Sequence, residues 1–121
     1  MPQKKMAWPR QPSDRQWIKP EGDDPRTLYQ MLMVSQERFG GEPCIGYIPS
    51  PGMARVHLTY NEFGDLATAT AKGLRDIGVE KGDRVAIIID NSVEWAALSY
   101  GANALGAAYT AMYTHQHGKD W

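Results

Sequence analysis

Two histidines near the end of the chain have the spacing of metal ligands. His115 and His117 form a His-x-His pair with Asp120 close behind, and in an extended segment two such imidazoles can lie on one side of the chain. A zinc site takes three or four ligands from the protein. Because the remaining candidates, Cys44 and His57, are far away in sequence, we interpret this segment as a solvated loop and predict no metal site.

A second polar group occupies the position at which open α/β proteins often bind ligands. Asp90, Asn91 and Ser92 lie between an apolar strand-like run and a helical segment, where the carboxyl end of a strand meets the start of a helix. An Asn or Ser at this point is most simply an N-cap, which accepts a hydrogen bond from a backbone N–H of the first turn. We therefore predict helix capping and no cofactor-binding residue here.

The glycines at 101 and 106 have the spacing of a phosphate-binding loop. Such a loop continues with Lys and Ser or Thr and opens a helix, whereas Ala107 and Ala108 follow Gly106, and the segment closes a helix. We interpret Gly106 as a helix-ending glycine.

Cys44 and His57 lie on opposite arms of a predicted hairpin and could form a thiol–imidazole pair. A lone cysteine in a strand is far more often a small apolar core residue.

The run Met31–Val34 could touch a fatty acid or a membrane, but a helix face packed on the protein is the simpler interpretation. We therefore predict no catalytic residue in the chain.

The elements that position these residues follow from start and stop signals. Residues 1–26 contain five prolines, too closely spaced for a long helix or strand, and predict an irregular arm whose Trp8, Trp17 and Ile18 could pack elsewhere. Thr27 is a good N-cap for a first helix that ends at Gly40. The next two runs, Cys44–Ile48 and Ala54–Leu58, flank a Pro-Ser-Pro-Gly turn and predict a β-hairpin.

The hairpin leads into a second helix. Thr59 to Glu62 fits a capping box, and the helix is expected to end at Gly78. Its predicted apolar face consists of Phe63, Leu66, Ala67, Thr70, Leu74 and Ile77.

The last third of the chain reads as one βαβ unit. An apolar strand over 84–90, a helix to about Leu105 and a strand over 107–113 should give two parallel neighbours joined by a right-handed crossover. The predicted fold class is α/β, with a partial mixed sheet, a β-hairpin, a capped helix and this unit.

Two elements are more apolar than their predicted surroundings can cover. Val85–Ile89 lacks polar alternation, which is typical of a parallel strand covered on both faces, and the helix over 93–105 is apolar nearly all round. We therefore expect further neighbours, so that 27–121 would be an incomplete domain. A compact small domain or a homodimer is the alternative source of cover.

Composition narrows the class of protein. The 121 residues carry a formal charge of −1, which gives no overall reason to expect nucleic acid or anionic lipid as partner. The single cysteine favours a reducing compartment, so the cytoplasm is expected. No apolar run approaches the roughly 20 residues of a membrane span, and acidic residues near the N-terminus argue against a targeting peptide.

Five blocks along the chain carry a family resemblance. They are Thr27–Tyr29, Pro43–Tyr47, Leu58–Phe63, Gly82–Ile87 and Asn91–Trp95. With them, the sequence from about Asp24 to Trp121 resembles the N-terminal part of the adenylate-forming (AMP-binding) enzymes. The Pro43–Tyr47 block favours the long-chain fatty acyl-CoA synthetases among them. The last two blocks are similar to the family signature GDRVAI…N.PEW, with Val93 where the family usually has Pro.

The resemblance implies a parent enzyme, a ligase that uses ATP and Mg²⁺ to convert a fatty acid to an acyl-adenylate and then transfers the acyl group to coenzyme A. The family's phosphate, adenine and lid-lysine motifs are not in this sequence. The resemblance therefore implies a noncatalytic N-terminal fragment whose partner is the remainder of the polypeptide, with the parent cytoplasmic or peripheral on membranes. The alternatives are a self-standing interaction module that docks on a synthetase or on itself, and a small nucleotide-binding domain, which the missing phosphate loop disfavours.

Overall fold

The computed structural model describes residues 27–115 and 118–120. The predicted arm, residues 1–26, lies outside them. In chain order the elements are α1 (Leu28–Phe39), β1 (Pro43–Tyr47), β2 (Val56–Thr59), α2 (Tyr60–Asp76), β3 (Arg84–Ile87), α3 (Val93–Ala104), β4 (Ala108–Ala111) and a short 3-10 turn (Gly118–Asp120).

The first helix is fixed at its start to the other two helices. The Thr27 hydroxyl accepts a hydrogen bond from Gln30 N at 3.1 Å, which confirms the predicted N-cap. Two residues after Thr27, Tyr29 N donates to Asn103 Oδ1 on α3 at 2.9 Å. The Tyr29 phenol oxygen lies 2.7 Å from Thr68 Oγ1 on α2. These two contacts hold the start of α1 across both helices.

The hairpin and its following helix are confirmed. β1 and β2 are antiparallel, with a register irregularity near their packed end, and Gly52 in the connecting turn has φ +84°, a conformation that glycine adopts without strain. Thr59 ends β2 and caps α2, because its hydroxyl accepts from Glu62 N at 3.2 Å while its own N–H donates to the Glu62 carboxylate at 2.8 Å. The capping box thus fixes the angle between strand and helix.

The βαβ unit is also confirmed, with shorter strands than predicted. β3 and β4 are parallel and pair from Arg84 with Ala108 to Ile87 with Ala111. Residues 88–90 continue past the end of the pairing, so the apolar run is longer than the strand that it contains. Ser92 caps α3 by accepting a hydrogen bond from Trp95 N at 3.2 Å.

The α/β fold class is confirmed, with the four strands divided between two sheets. The hairpin forms one two-stranded sheet and β3–β4 forms the other, instead of a single mixed sheet. The reason lies in the packing. Partly buried hairpin residues pack on the core around Phe63, whereas the β3 side packs on a second core around Leu74 and Ala102. Helices α2 and α3 contribute to both cores and form the spine of the molecule.

The helical spine depends on small residues at the crossing. Gly101 of α3 lies so close to α2 that a Cβ built on it would be 3.1 Å from Ala71 N. Next to it, Ala102 is fully buried. Around the first core, the rings of Phe63 and Tyr100 meet edge to face at 5.7 Å. Close backbone approach at Gly101 and aromatic packing at the adjacent Tyr100 therefore join the two helices.

The predicted apolar face of α2 was partly wrong. Leu66 is 38% exposed and Ile77 is 79% exposed, while Ala71 is buried, as is Gly64. Gly64 faces the Gln36 side chain of α1, and a Cβ at this position would collide with it. The face is therefore rotated toward the small residues where α1 and α3 approach most closely, and Ile77 falls at the C-cap, beyond the last turn.

Within the described part of the chain, β3 is covered on one face, whereas β4 is exposed on both. Ile87 is buried and Val85 packs against the core around Leu74, but Arg84 and Ala86 are exposed. All four residues of β4 are also exposed. The expectation that β3 needs cover on both faces is therefore only half met by these residues. None of the helices described is both long and apolar enough to cross a membrane.

Candidate functional site

A cleft opens at the carboxyl ends of β3 and β4. Its volume is about 380 Å³, within the range of roughly 300–1,000 Å³ that is usual for small-molecule sites. Parallel strands end at the same edge of their sheet, so the segments that follow them meet there. The lining residues are Ile89, Asp90, Asn91, Trp95, Ala111, Met112, Tyr113, Thr114 and His115.

A side-chain clamp joins the two loops that form the cleft. The Thr114 hydroxyl, after β4, lies 2.7 Å from Asp90 Oδ1, after β3, and donates to it. Met112 N also donates to Ile87 O at 2.9 Å, which extends the parallel ladder by one bond. Hydrogen bonds to an ionised carboxylate are stronger than those between neutral groups. The clamp is exposed to solvent, and it links the two loops at the mouth of the cleft.

One wall of the cleft is aromatic. Trp95, in the first turn of α3, packs nearly perpendicular to Tyr109 of β4, with ring centroids 6.2 Å apart. Tyr113 is 78% exposed at the rim. With Asp90 and His115 as neighbours, this wall could hold an apolar group beside a few polar ones. The lining contains no cysteine or serine.

The structure brings together three of the polar residues weighed from the sequence. Asp90, Asn91 and His115 all line the cleft, while Ser92 acts as the predicted N-cap. His117 lies outside the described residues, so the His-x-His pair is not tested as a unit. Over 27–115 and 118–120, no three metal-ligating side chains come together.

The two glycines with P-loop spacing have structural roles. Gly101 lies inside α3, against α2, and Gly106 ends the helix with φ +73°. The interpretation of Gly106 as a helix-ending glycine is confirmed, because this left-handed conformation strains any residue with a Cβ. Close packing leaves Gly101 without the open backbone that a phosphate would need.

Cys44 and His57 do not form a reactive pair. His57 lies opposite Gly46 in the strand register, and a Cβ on Gly46 would be 3.0 Å from its ring. Partial burial raises the pKa of the Cys44 thiol above its ordinary value, which disfavours the thiolate. The packing of Cys44 beside the first core agrees with the simpler interpretation of a small apolar residue.

The methionine-rich run of α1 is mainly a packed helix face. Leu32 is buried, and Met33 packs against the same core as Phe63. Met31 is 47% exposed. The interpretation as a face packed on the protein is therefore confirmed for the central pair of this run.

Sequence reasoning missed the residues that shape the cleft from the β4 side. Thr114, Met112 and Tyr113 carry no motif, and Trp95 was named as the end of the Asn91–Trp95 block but not as a site residue. The available signal was the parallel pairing itself, since it predicts that residues just after β4 face those just after β3. Applied to residues 112–115, that rule would have pointed to the Thr114–Asp90 contact.

The fold and the cleft define an open α/β unit with ligand-sized space at its carboxyl edge. Residues 34–120 match the family model described as "AMP-binding enzyme". The chain belongs to the AMP-binding enzyme family, and the resemblance inferred from its five sequence blocks is confirmed.

Two relatives of this chain in the family are long-chain-fatty-acid–CoA ligases. The long-chain-fatty-acid–CoA ligase ACSBG1 of Bos taurus is 32% identical over 90 residues, which cover 74% of this chain and 12% of that protein. The long-chain-fatty-acid–CoA ligase FadD13 of Mycobacterium tuberculosis is 44% identical over 59 residues, or 49% of this chain and 12% of that protein. The chain thus matches only about an eighth of the length of these curated relatives.

A solved structure shows the same arrangement. The N-terminal domain of FACL13 from Mycobacterium tuberculosis superposes with a TM-score of 0.70 and 32% identity, over 79% of this chain and 24% of that one. The α/β architecture is therefore that of the N-terminal domain of acyl-CoA synthetases.

Proposed function

We propose that this chain is the N-terminal structural part of a long-chain fatty acid–CoA ligase. Such an enzyme joins a fatty acid to AMP with release of pyrophosphate, and then transfers the acyl group to coenzyme A. The observation that carries the proposal is the parallel β3–β4 pair with one uncovered face, because parallel sheets are normally covered on both faces. The small share of each relative that the chain spans supports it.

The described residues do not fit ATP, Mg²⁺ or coenzyme A. The glycines at 101 and 106, which have P-loop spacing, are used for helix packing and helix termination. The Asp90 carboxylate already accepts from Thr114, and no cluster of metal ligands occurs in 27–115 and 118–120. We therefore assign these ligands to other residues of the parent enzyme, and derive no catalytic step from this chain.

In this proposal the chain contributes rigidity. The α2–α3 spine supports the carboxyl edge of β3–β4, and the Asp90–Thr114 clamp links the loops at that edge. Residues 27–121 would be the incomplete opening of the synthetase domain, and the remainder of the polypeptide would complete the sheet. The single cysteine of this chain fits a reducing compartment, and we propose the cytoplasm as its location.

A chimera tests the proposal. The segment of FadD13 that aligns with this chain is replaced by the corresponding residues, and thioester formation is measured with palmitate, ATP and coenzyme A. We expect the chimera to be active and the 121-residue chain alone to be inactive.

The controls make the outcome specific. The same chimera carrying Ile87→Asp places an unpaired carboxylate in a position that is 3% exposed and should lose activity through misfolding. Turnover by the chain alone, or an inactive chimera that folds normally, would contradict the proposal.

The uncovered sheet also favours a second candidate, an interaction module that pairs with another copy of itself. Two copies could cover each other's exposed β4 strands. Sedimentation of the chain distinguishes the two ideas, since a stable, well-folded dimer would support the module, and a monomer would support the opening part of a longer enzyme.

A further inference from the structure

A small groove lies where α1 begins, beside α3 and β4. Its volume is about 150 Å³, which is enough for one benzene-sized group. We call it the α3 groove, and its lining residues are Leu28, Trp95, Ser99, Tyr100, Asn103 and Tyr109. Trp95 also lines the cleft at the carboxyl edge of the sheet, so the groove extends from the start of α1 toward that cleft.

Two polar side chains of the α3 groove already have partners within the fold. The Ser99 hydroxyl donates to Ala96 O at 2.8 Å, and Asn103 Oδ1 accepts from Tyr29 N. The other lining residues are three aromatic side chains and Leu28, which is 50% exposed. Because aromatic pairs contribute beyond the area that they bury, the groove suits an apolar ring better than a polar ligand.

Chain connectivity selects the occupant of the groove. Leu28 is the second residue that the structure describes, so residues 1–26 join the body at this end of the groove. Trp17 is the aromatic residue of this arm nearest to Leu28 in sequence, with ten residues between them. Ten flexible residues have a root-mean-square span of roughly 17 Å, and α3 is about 12 Å long from Trp95 to Asn103. Such a tether gives the ring an effective concentration of about millimolar, an advantage that a segment attached far from the groove lacks.

Charge complementarity favours the same arrangement. Helix α1 has no acidic residue in its first turn, whereas Glu21, Asp23 and Asp24 precede it in the arm. Carboxylates near the first turn of a helix are stabilised by the helix dipole. The last residues of the arm are therefore suited to lie near the start of α1, which keeps the arm beside the groove.

We propose that residues 17–26 fold back over the α3 groove and that the Trp17 ring occupies it. The ring packs against Leu28 and Trp95, and the arm covers the stripe of α3 that lines the groove. The inference concerns packing within this chain and does not depend on the proposed enzymatic function, so either can fail alone.

NMR spectroscopy of the 121-residue chain tests the inference. We expect nuclear Overhauser contacts between the Trp17 ring protons and the Leu28 methyl groups. The indole N–H of Trp17 should exchange with water at least about tenfold more slowly than that of Trp8, because a docked ring must open before it exchanges. Trp8 is the matched control, since it belongs to the same arm and is not assigned to the groove.

A pair of variants separates the groove from surface hydrophobicity in general. Leu28→Gln removes apolar surface at the groove and should accelerate exchange of the Trp17 indole roughly threefold or more, toward the rate of Trp8. Glutamine has a helix propensity close to that of leucine, so α1 should remain intact. Ile77→Gln changes a residue that is 79% exposed and lies outside the groove lining, and it should leave the Trp17 rate unchanged.

Two results would overturn the inference. One is equal exchange of the Trp8 and Trp17 indoles in a chain whose α1 amides are protected, which would leave the groove to another segment, such as the remainder of a longer enzyme. The other is protection of Trp17 that disappears on dilution, which would place the arm of one copy on another. If Leu28→Gln unfolds the chain, the unchanged chain decides, since absence of the contacts between Trp17 and Leu28 rejects docking in this groove.

Discussion

The two ends of the α2–α3 spine differ in how far the described residues bury the side chains around them. At one end, Leu32, Phe63, Ala67 and Ala97 come from three different helices and are all at most 5% exposed. At the other end, β4 is exposed along its whole length. The first region completes its core with its own residues, whereas the second presents half of a sheet. The described residues therefore form one closed core and one sheet that they leave partly open.

The difference has a simple physical origin. Around Phe63, helices and hairpin approach from several directions, and small residues such as Gly64 let them come close. Around β3–β4, the described helices lie on one face, and covering the other would need additional elements. An exposed strand edge can pair with a further strand, so under our proposal the second region is the one that the rest of a longer enzyme would cover.

The largest expected effect is in the closed core. Phe63→Ala should cost about 3–5 kcal/mol in the free energy of unfolding, because it empties the site of a side chain that is 2% exposed. Urea denaturation would measure the loss. Tyr113→Ala, at a position that is 78% exposed, is the control and should change stability by less than about 0.5 kcal/mol. Equal losses would mean that the Phe63 core is not closed.

An intermediate effect is expected where the spine joins the two regions. Gly101→Ala should destabilise the chain by about 1–3 kcal/mol, since the new methyl group would meet Thr70 Cγ2 at 3.0 Å and Ala71 N at 3.1 Å. Gly73→Ala on α2 is the matched control. A Cβ there meets nothing within 4 Å, and it should stabilise the helix by about 0.5–1 kcal/mol. If Gly101→Ala stabilised as much as Gly73→Ala, the close helix crossing would be refuted.

The smallest effect is expected on the uncovered face. Ala86→Lys adds a charged side chain to an exposed position. The free energy of unfolding of this chain, measured by thermal denaturation, should therefore change by no more than about 0.5 kcal/mol. In the FadD13 chimera the same change should abolish thioester formation, because a lysine would be buried there without a partner. Retained activity in that variant would show that this face stays open in the longer enzyme.

Local signals in the sequence were sufficient for most elements. Thr59, Ser92 and Gly106 each marked a helix terminus through a side chain or backbone property that acts within a few residues, and all three are confirmed. The exact buried face of α2 was not predictable in this way. It depends on where Gly64 and Ala71 meet other helices, which is a tertiary property.

The cleft was predictable only in part. Asp90 and Asn91 were considered because they follow a strand, but the Thr114 clamp depends on the register between β3 and β4 and on two side-chain rotamers. Division of the strands into two sheets likewise depends on how the hairpin packs, which no single segment encodes. Recognition of the family came from five short blocks, whose residues lie in caps, turns, strands and the first turns of helices.

Hydrogen exchange of the backbone amides would test the central contrast most directly. The amides of β3 and β4 are compared between the free chain and the FadD13 chimera, with the amides of α2 around Phe63 as internal reference. The account predicts much slower exchange for β3–β4 in the chimera and little change around Phe63, because only the former gains cover. Equal protection of β3–β4 in both proteins would contradict the claim that this chain is an opening part completed by a longer enzyme.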